Sequence, residues 1–193
     1  MNRALDLAVA GLLIVLTAPL LGLAALAIKL ESRGPVIYRQ RRIGKDGRPF
    51  ELLKLRTMVP GAESMGAGIY VLEGDPRITR TGRLLRRFSL DELPNLVNVL
   101  RGDLAIVGPR PTVQEQVDGY TERQRRRLEV KPGITGWAQI NGRTSLPWPE
   151  RIELDVWYVE HRSLRLDLRI LARTARLLAT GHGLYSEELR QGW

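Results

Sequence analysis

The chain has 193 residues, 44% hydrophobic and 26% charged, a balance that suits one folded domain with an appendage and not a disordered polymer. It has no cysteine and two histidines, His161 and His182. Disulfides, thiol nucleophiles and cysteine metal sites are excluded, and little remains for a zinc centre or a serine–histidine triad. The net charge is +9. Lysine stands only at 29, 45, 54 and 131, so the other basic residues are arginines, whose planar fork suits phosphate. Such a surface is either solvated or meets a polyanion: nucleic acid, anionic lipid or a diphosphate substrate.

Residues 4–28 are apolar except for Asp6 and Thr17. As a helix rising ~1.5 Å per residue they exceed the ~30 Å hydrocarbon core of a bilayer. The run is also longer than the ~7–15 apolar residues of a signal peptide. Pro19 removes one helical hydrogen bond and crowds the carbonyl of Val15. The Thr17 hydroxyl can bond back to a carbonyl three or four residues earlier. Two topologies fit: a kinked spanning helix, or a helix broken at Pro19 that enters and leaves by one face. Lys29, Arg33, Arg39, Arg41, Arg42 and Lys45 follow the run, against Arg3 and the amino terminus before it. The excess predicts a cytoplasmic domain under either topology.

Beyond it, residues 34–44 and 50–58 read as two strands of a hairpin, with Lys45-Asp46-Gly47 as the turn. The Gly-rich stretch 60–74 reads as a loop. Residues 79–88 and 92–100 form short helices, and 104–111 form an apolar strand stopped by proline. A polar helix is expected over 112–128, loop over 131–143, and helices over 150–161 and 164–178. In the last, Arg165, Arg169, Arg173 and Arg176 make one basic stripe beside leucines, which suits either a membrane headgroup layer or a solvated helix face.

The stretch "SLDELPNL", 89–96, holds adjacent carboxylates, Asp91 and Glu92. Pro94 is tolerated in a first helical turn, and Ser89 with Glu92 has capping-box spacing, so a helix is expected to start near 90–91. That start would place Asp91 at the positive end of the helix dipole, ionised. Taken alone, the pair is an ordinary helix cap. Arg80, Arg83, Arg86 and Arg87 precede it, however, and Arg110 follows between Pro109 and Pro111. Arginines on both sides of an acidic pair fit an anionic substrate held against a carboxylate, with Mg²⁺ between them.

Three segments occur in order: "KLESRGPVIYRQRRIGKDGRPFELLKLRTM", "DPRITRTGRLLRRFSLDELPNLVNVLRGDLAIVGPRP" and "KPGITGWAQINGR". Together they resemble the bacterial sugar transferases, the monotopic polyprenyl-phosphate phosphoglycosyl transferases, from the apolar segment to about residue 178. The resemblance implies an α+β fold in three parts. Residues 1–30 are a re-entrant membrane helix broken near Pro19. Residues 31–180 are a small, mostly helical cytoplasmic catalytic domain with a β-hairpin and amphipathic interface helices. Residues 181–193 are a tail. It implies transfer of a sugar-1-phosphate from a UDP-sugar to undecaprenyl phosphate, with release of UMP, at the cytoplasmic face of the bacterial inner membrane. Larger members carry further membrane spans and another domain upstream, and this chain looks like the minimal catalytic unit.

By that match Asp91 is the nucleophile, forming an acyl-phosphate, and a Mg²⁺ ligand; Glu92 is its acid/base or positioning partner. Arg86 and Arg110 match phosphate-holding arginines, with Lys54, Arg56 and Arg143 as further candidates. The family's Ser-Pro break is Ala18-Pro19 here, with Thr17 one residue earlier, and Asn95 stands where glutamine is commoner. The expected partners are the UDP-sugar, undecaprenyl phosphate and membrane lipids, not nucleic acid. The amphipathic elements suit a homo-oligomer interface as well as a membrane. Two alternatives stand beside this reading: a membrane-anchored polyanion- or nucleic-acid-binding module, and an isoprenoid phosphate hydrolase.

Overall fold

A computed structural model describes residues 3–66, 74–142 and 146–180. Arg143, part of the Gly-rich loop and the expected tail lie outside the described residues. The fold is α+β, with eight α-helices, an antiparallel hairpin and a two-stranded parallel ribbon among the described residues.

Helix α1, Arg3–Glu31, holds the whole apolar run. It stays helical through Pro19, where the sequence reading expects a break. Proline removes only the bond to the Val15 carbonyl, and Thr17 Oγ1 donates to the Leu13 carbonyl at 2.7 Å. Both ends of α1 are fixed to the same domain. At the first, Arg3 donates to the carbonyls of Val99 (2.6 Å) and Leu100 (2.9 Å), and Asp6 accepts from the Ile106 amide at 3.1 Å. At the other, Glu31 accepts from the amides of Arg80 (2.7 Å) and Thr81 (2.9 Å). Ala10 packs into a core with Leu96, Val99, Leu104 and Ile170, while Ala24 and Ile28 join Leu55 and Leu85. Between these contacts Leu12, Val15, Leu16 and Leu23 are exposed. A contiguous leucine surface of this kind is expected to meet lipid or another apolar partner.

Strands β1, Ile37–Ile43, and β2, Pro49–Leu55, pair antiparallel from Ile37↔Leu55 to Ile43↔Pro49. The turn between them puts Asp46 (φ 56°) and Gly47 (φ 74°) in the left-handed region, which Asp-Gly tolerates. Helix α2, Arg80–Arg87, is capped by the Thr79 hydroxyl, which accepts from the Gly82 amide at 2.9 Å.

The acidic pair is placed differently from the expectation. Residues Leu90–Glu92 form a 3₁₀ turn, and α3 begins only at Asn95, running to Arg101 with Pro94 as its cap. Ser89 is left-handed (φ 54°) and its side chain caps nothing, so there is no capping box. Instead its carbonyl accepts from the Glu92 amide at 3.3 Å.

Strand β3, Ala105–Val107, pairs in parallel with β4, Gly133–Thr135. Their glycines explain two of the quoted segments. A Cβ on Gly133 would lie 2.1 Å from the Gly108 nitrogen, and one on Gly136 2.1 Å from the Gly108 carbonyl oxygen. The "GPRP" and "KPGITGW" stretches therefore pack backbone to backbone, which no larger residue permits.

The expected polar helix over 112–128 is instead α4, Gln114–Asp118, then α5, Glu122–Arg125, then a 3₁₀ turn, Arg126–Glu129. The chain restarts because Thr121 and Gln124 form a capping box. The expected loop over 131–143 holds β4 and a short helix, α6, Trp137–Ile140. Helices α7, Trp148–His161, and α8, Leu164–Thr180, complete the domain. On α8, Arg165, Arg169, Arg173 and Arg176 are exposed, as are Leu164 and Leu168.

Candidate active site

The 3₁₀ turn places Asp91 and Glu92 at a cavity of about 1310 Å³. Its charged lining includes Arg42, Lys54, Arg86 and Arg110; its apolar lining includes Leu13 of α1, Leu96 and Leu171. β2 brings Lys54, α2 brings Arg86, and the Gly108-Pro109-Arg110-Pro111 turn after β3 brings Arg110.

Glu92 is the hub of the ion pairs. Its Oε1 accepts from Lys54 Nζ at 3.0 Å and from Arg110 Nη2 at 2.8 Å. Burial works to raise its pKa, but Arg110 and Lys54 more than offset that and hold the carboxyl well below the usual carboxylate range. Asp91 differs. It is buried, yet its side chain makes no hydrogen bond or ion pair with the described residues. Its pKa is raised, first by burial and then by the Glu92 carboxylate, against the opposing pull of Lys54, Arg86 and Arg110. The direction is opposite to the one a helix dipole would give. The turn precedes a helix of seven residues, and desolvation beside a second carboxylate outweighs that end charge.

Arg86 uses Nε on the Thr57 hydroxyl at 2.8 Å, while its two terminal nitrogens make no hydrogen bond to the described residues. It keeps a fork for an anion. Arg56 does not. Its terminal nitrogens donate to the carbonyls of Arg33 (2.6 Å) and Ser32 (2.9 Å), so it braces the end of α1 against β2. Thr17 and Pro19 lie on α1, apart from this cluster. The structure thus gathers Asp91, Glu92, Lys54, Arg86 and Arg110, and leaves Arg56 as a brace.

Two features were missed in the sequence. Along β1 the half-buried Tyr38, Gln40 and Arg42 line the cavity, together with the more exposed Ile37 and Arg39. Strand alternation marks only the first three. The second is a support beneath Arg110. Arg127 and Asp155 are fully buried and paired at 2.5 Å, and Arg127 Nη2 also donates to the Arg110 carbonyl at 2.9 Å. The Tyr120 hydroxyl accepts from Arg127, and the Tyr120 and Trp148 rings face its guanidinium at 5.6 and 5.3 Å. Burial pushes the Asp155 carboxyl up to about 6, against the pull of Arg127.

A buried carboxylate set among cations, on an α+β domain carrying one long apolar helix, is a site suited to an anionic substrate. The comparisons with known proteins agree. The bacterial sugar transferase profile matches residues 1–181, and the chain belongs to that family. It is 46% identical over 184 residues to the uncharacterized sugar transferase EpsL of Bacillus subtilis, covering 95% of this chain and 90% of the relative. It is 46% identical over 192 residues to the UDP-glucose:undecaprenyl-phosphate glucose-1-phosphate transferase of Caulobacter vibrioides, covering 95% and 72%. With the Escherichia coli K12 protein of that same name it shares 43% over 182 residues, 90% of this chain but 39% of the larger relative.

Proposed function

We propose that this enzyme transfers a sugar-1-phosphate from a UDP-sugar to undecaprenyl phosphate at the cytoplasmic face of the bacterial inner membrane. The observation that carries the chemistry is the contrast within the acidic pair. Glu92 is neutralised by Lys54 and Arg110, whereas Asp91 has no partner among the described residues and lines the cavity. The names of the relatives support the two substrates.

In the first step an Asp91 carboxylate oxygen attacks the β-phosphorus of the donor. The bond from that phosphorus to the bridging oxygen breaks, its electron pair stays on UMP, and an acyl-phosphate remains on Asp91. In the second, a phosphate oxygen of the acceptor attacks the same phosphorus and Asp91 leaves as carboxylate. Arg86 and Arg110 hold the transferring phosphoryl group, and Lys54 keeps Glu92 ionised and in place. Glu92, with its low pKa, orients Arg110 rather than carrying a proton.

The residues present fit Mg²⁺, which takes one or two carboxylates together with substrate phosphates. Asp91, without a partner among the described residues, would hold it, and the ion would neutralise charge on the diphosphate.

The membrane reading rests on α1. Both its ends are hydrogen-bonded to one domain while its middle exposes leucines, an arrangement that favours an anchor seated from one side of the bilayer over one that carries the N-terminus across it. The test is a panel of UDP-sugars with undecaprenyl phosphate and Mg²⁺, with UMP as the readout. One sugar gives acceptor-dependent UMP release, and Asp91→Asn, folded, loses at least a thousandfold in rate. Near-normal turnover by that variant refutes the assignment. UMP release unaffected by acceptor points to hydrolysis.

A further inference from the structure

Arg110 has two sides. One terminal nitrogen is bound to Glu92 at 2.8 Å. Around the rest of it stand further guanidinium groups that the chemistry at Asp91 does not use. Arg42 Nη1 donates to the carbonyl of Pro111, the residue next to Arg110, at 3.4 Å. Its Nε and Nη2 both donate to Gln40 Oε1, at 3.1 and 2.6 Å, which fixes the plane of the fork. Arg42 forms no ion pair among the described residues. Arg151 is held through Nε by the Leu146 carbonyl at 2.6 Å, and it lines the same cavity as Arg42 and Arg110.

Holding Arg42 beside Arg110 with no ion pair of its own among the described residues costs free energy, and proteins do it where an anion completes the set. The cost is visible here. Burial and the nearby Arg110 push the Arg42 guanidinium down to about 10, and burial followed by Arg110 lowers Arg151.

We propose that Arg42 and Arg110, with Arg151 at their side, form a second phosphate subsite next to the Asp91–Glu92 pair. Its ligand is the phosphate of the nucleoside monophosphate that departs. This rests on the transfer reaction proposed above and assigns the leaving group to particular residues. Arg110 touches both regions, as two phosphates joined by one bridging oxygen require: the β-phosphate at Asp91 and Arg86, the α-phosphate at Arg42.

The other source of a phosphate is the lipid acceptor, because the cavity that Arg42, Arg110 and Arg151 line also includes Leu13 of α1. The two phosphates of the donor, joined by one bridging oxygen across Arg110, favour the nucleotide, and the separate KM values of donor and acceptor distinguish the two sources.

The test uses the full chain in detergent or nanodiscs. Arg42→Gln is expected to raise both the KM for the UDP-sugar and the inhibition constant of UMP at least tenfold. The KM for undecaprenyl phosphate should stay within twofold, and Arg42→Lys should recover part of the loss. An unchanged donor KM and UMP inhibition in folded Arg42→Gln overturns the proposal. So does a rise confined to the acceptor KM, which assigns the cluster to the lipid phosphate. Two measurements on the unaltered protein decide the matter if the variants do not fold or no sugar is turned over. UMP should raise the Tm where uridine does not, and inorganic phosphate should compete with UMP. Equal effects of uridine and UMP refute a phosphate subsite, whereas absent turnover with a UMP-specific shift refutes only the transfer reaction.

Discussion

Replacing Asn98 by alanine tests whether the acidic turn and the hairpin work as one unit. Asn98 lies on α3 and is fully buried. Its Oδ1 accepts from the Leu53 amide at 3.1 Å. Its Nδ2 donates to the Glu51 carbonyl at 2.7 Å and to Asp103 Oδ2 at 3.0 Å. Alanine removes all three. The Leu53 amide, on a buried residue, is left without a partner at about 1–3 kcal/mol; the other two bonds contribute about 1 and about 1.5 kcal/mol, the latter to a charged group. The sum is roughly 3–6 kcal/mol, a large share of the ~5–15 kcal/mol that holds a domain together. At ~2–4 °C per kcal/mol for a chain of this size, Tm should fall by roughly 6–24 °C. Leu53 is followed by Lys54, so the same change loosens Lys54 against Glu92, and turnover measured well below the new Tm should also drop. Differential scanning fluorimetry in micelles reads the first effect and UMP release the second. A Tm within 2 °C of the unaltered protein would show that the hairpin does not depend on α3.

Glu92→Gln removes a negative charge that helps raise the Asp91 pKa, so the acid limb of the pH–rate profile should move to lower pH while the plateau rate falls; an unmoved limb contradicts the coupling. Asp155, pushed up to about 6 in the fold against about 3.9 unfolded, binds its proton more tightly when folded. Its contribution is thus fully present below about pH 4 and is lost as pH rises to about 6, by roughly 3 kcal/mol at 1.36 kcal/mol per unit. Asp155→Asn should flatten that slope in urea titrations at pH 4–7, and an identical slope counts against it. Because the chain has no native cysteine, Leu5→Cys gives a single reporter at an exposed position near the start of α1. An impermeant maleimide should reach it only from the cytoplasmic side, and labelling on intact cells would establish a spanning helix.

What the sequence disclosed depended on the range of the interaction. The apolar run, the Asp-Gly hairpin, the short basic helix α2 and the short β3 are local patterns, and each stands where it was expected. The acidic pair was visible, but its backbone was not. The S-x-x-E spacing describes a cap equally well as a 3₁₀ turn closed by a left-handed Ser89, and the chain takes the turn. Arg56 looked like its neighbour Lys54 in "KLRTM". Strand alternation puts both on one face, but Arg56 falls just past the end of β2, beside the carbonyls of Ser32 and Arg33 that take its guanidinium, while Lys54 reaches Glu92, a difference of neighbours that charge alone does not reveal. The Arg127–Asp155 pair joins residues 28 apart in the chain, and nothing local marks it.

Asp6 is the residue least expected in an apolar helix, and its position shows how anchor and site are joined. A carboxylate near lipid is costly unless it is bonded. Asp6 is bonded, to the amide of Ile106 in β3, the strand that leads directly into the turn carrying Arg110. At the other end of α1, Glu31 caps the amides that open α2, the helix that carries Arg86. Arg56 meanwhile ties Ser32 and Arg33 to the strand that carries Lys54. Apart from Arg3, which is bonded to α3, the polar tethers of the anchor thus end on segments that carry or adjoin a cation of the cavity. Any shift of α1 in depth or tilt must pull on Arg110 at one end or on Arg86 and Lys54 at the other. On the proposed reaction, this coupling keeps the phosphate-binding groups at a fixed height relative to the bilayer surface where the acceptor's phosphate lies. A catalytic domain tethered by a single flexible linker would not hold that height.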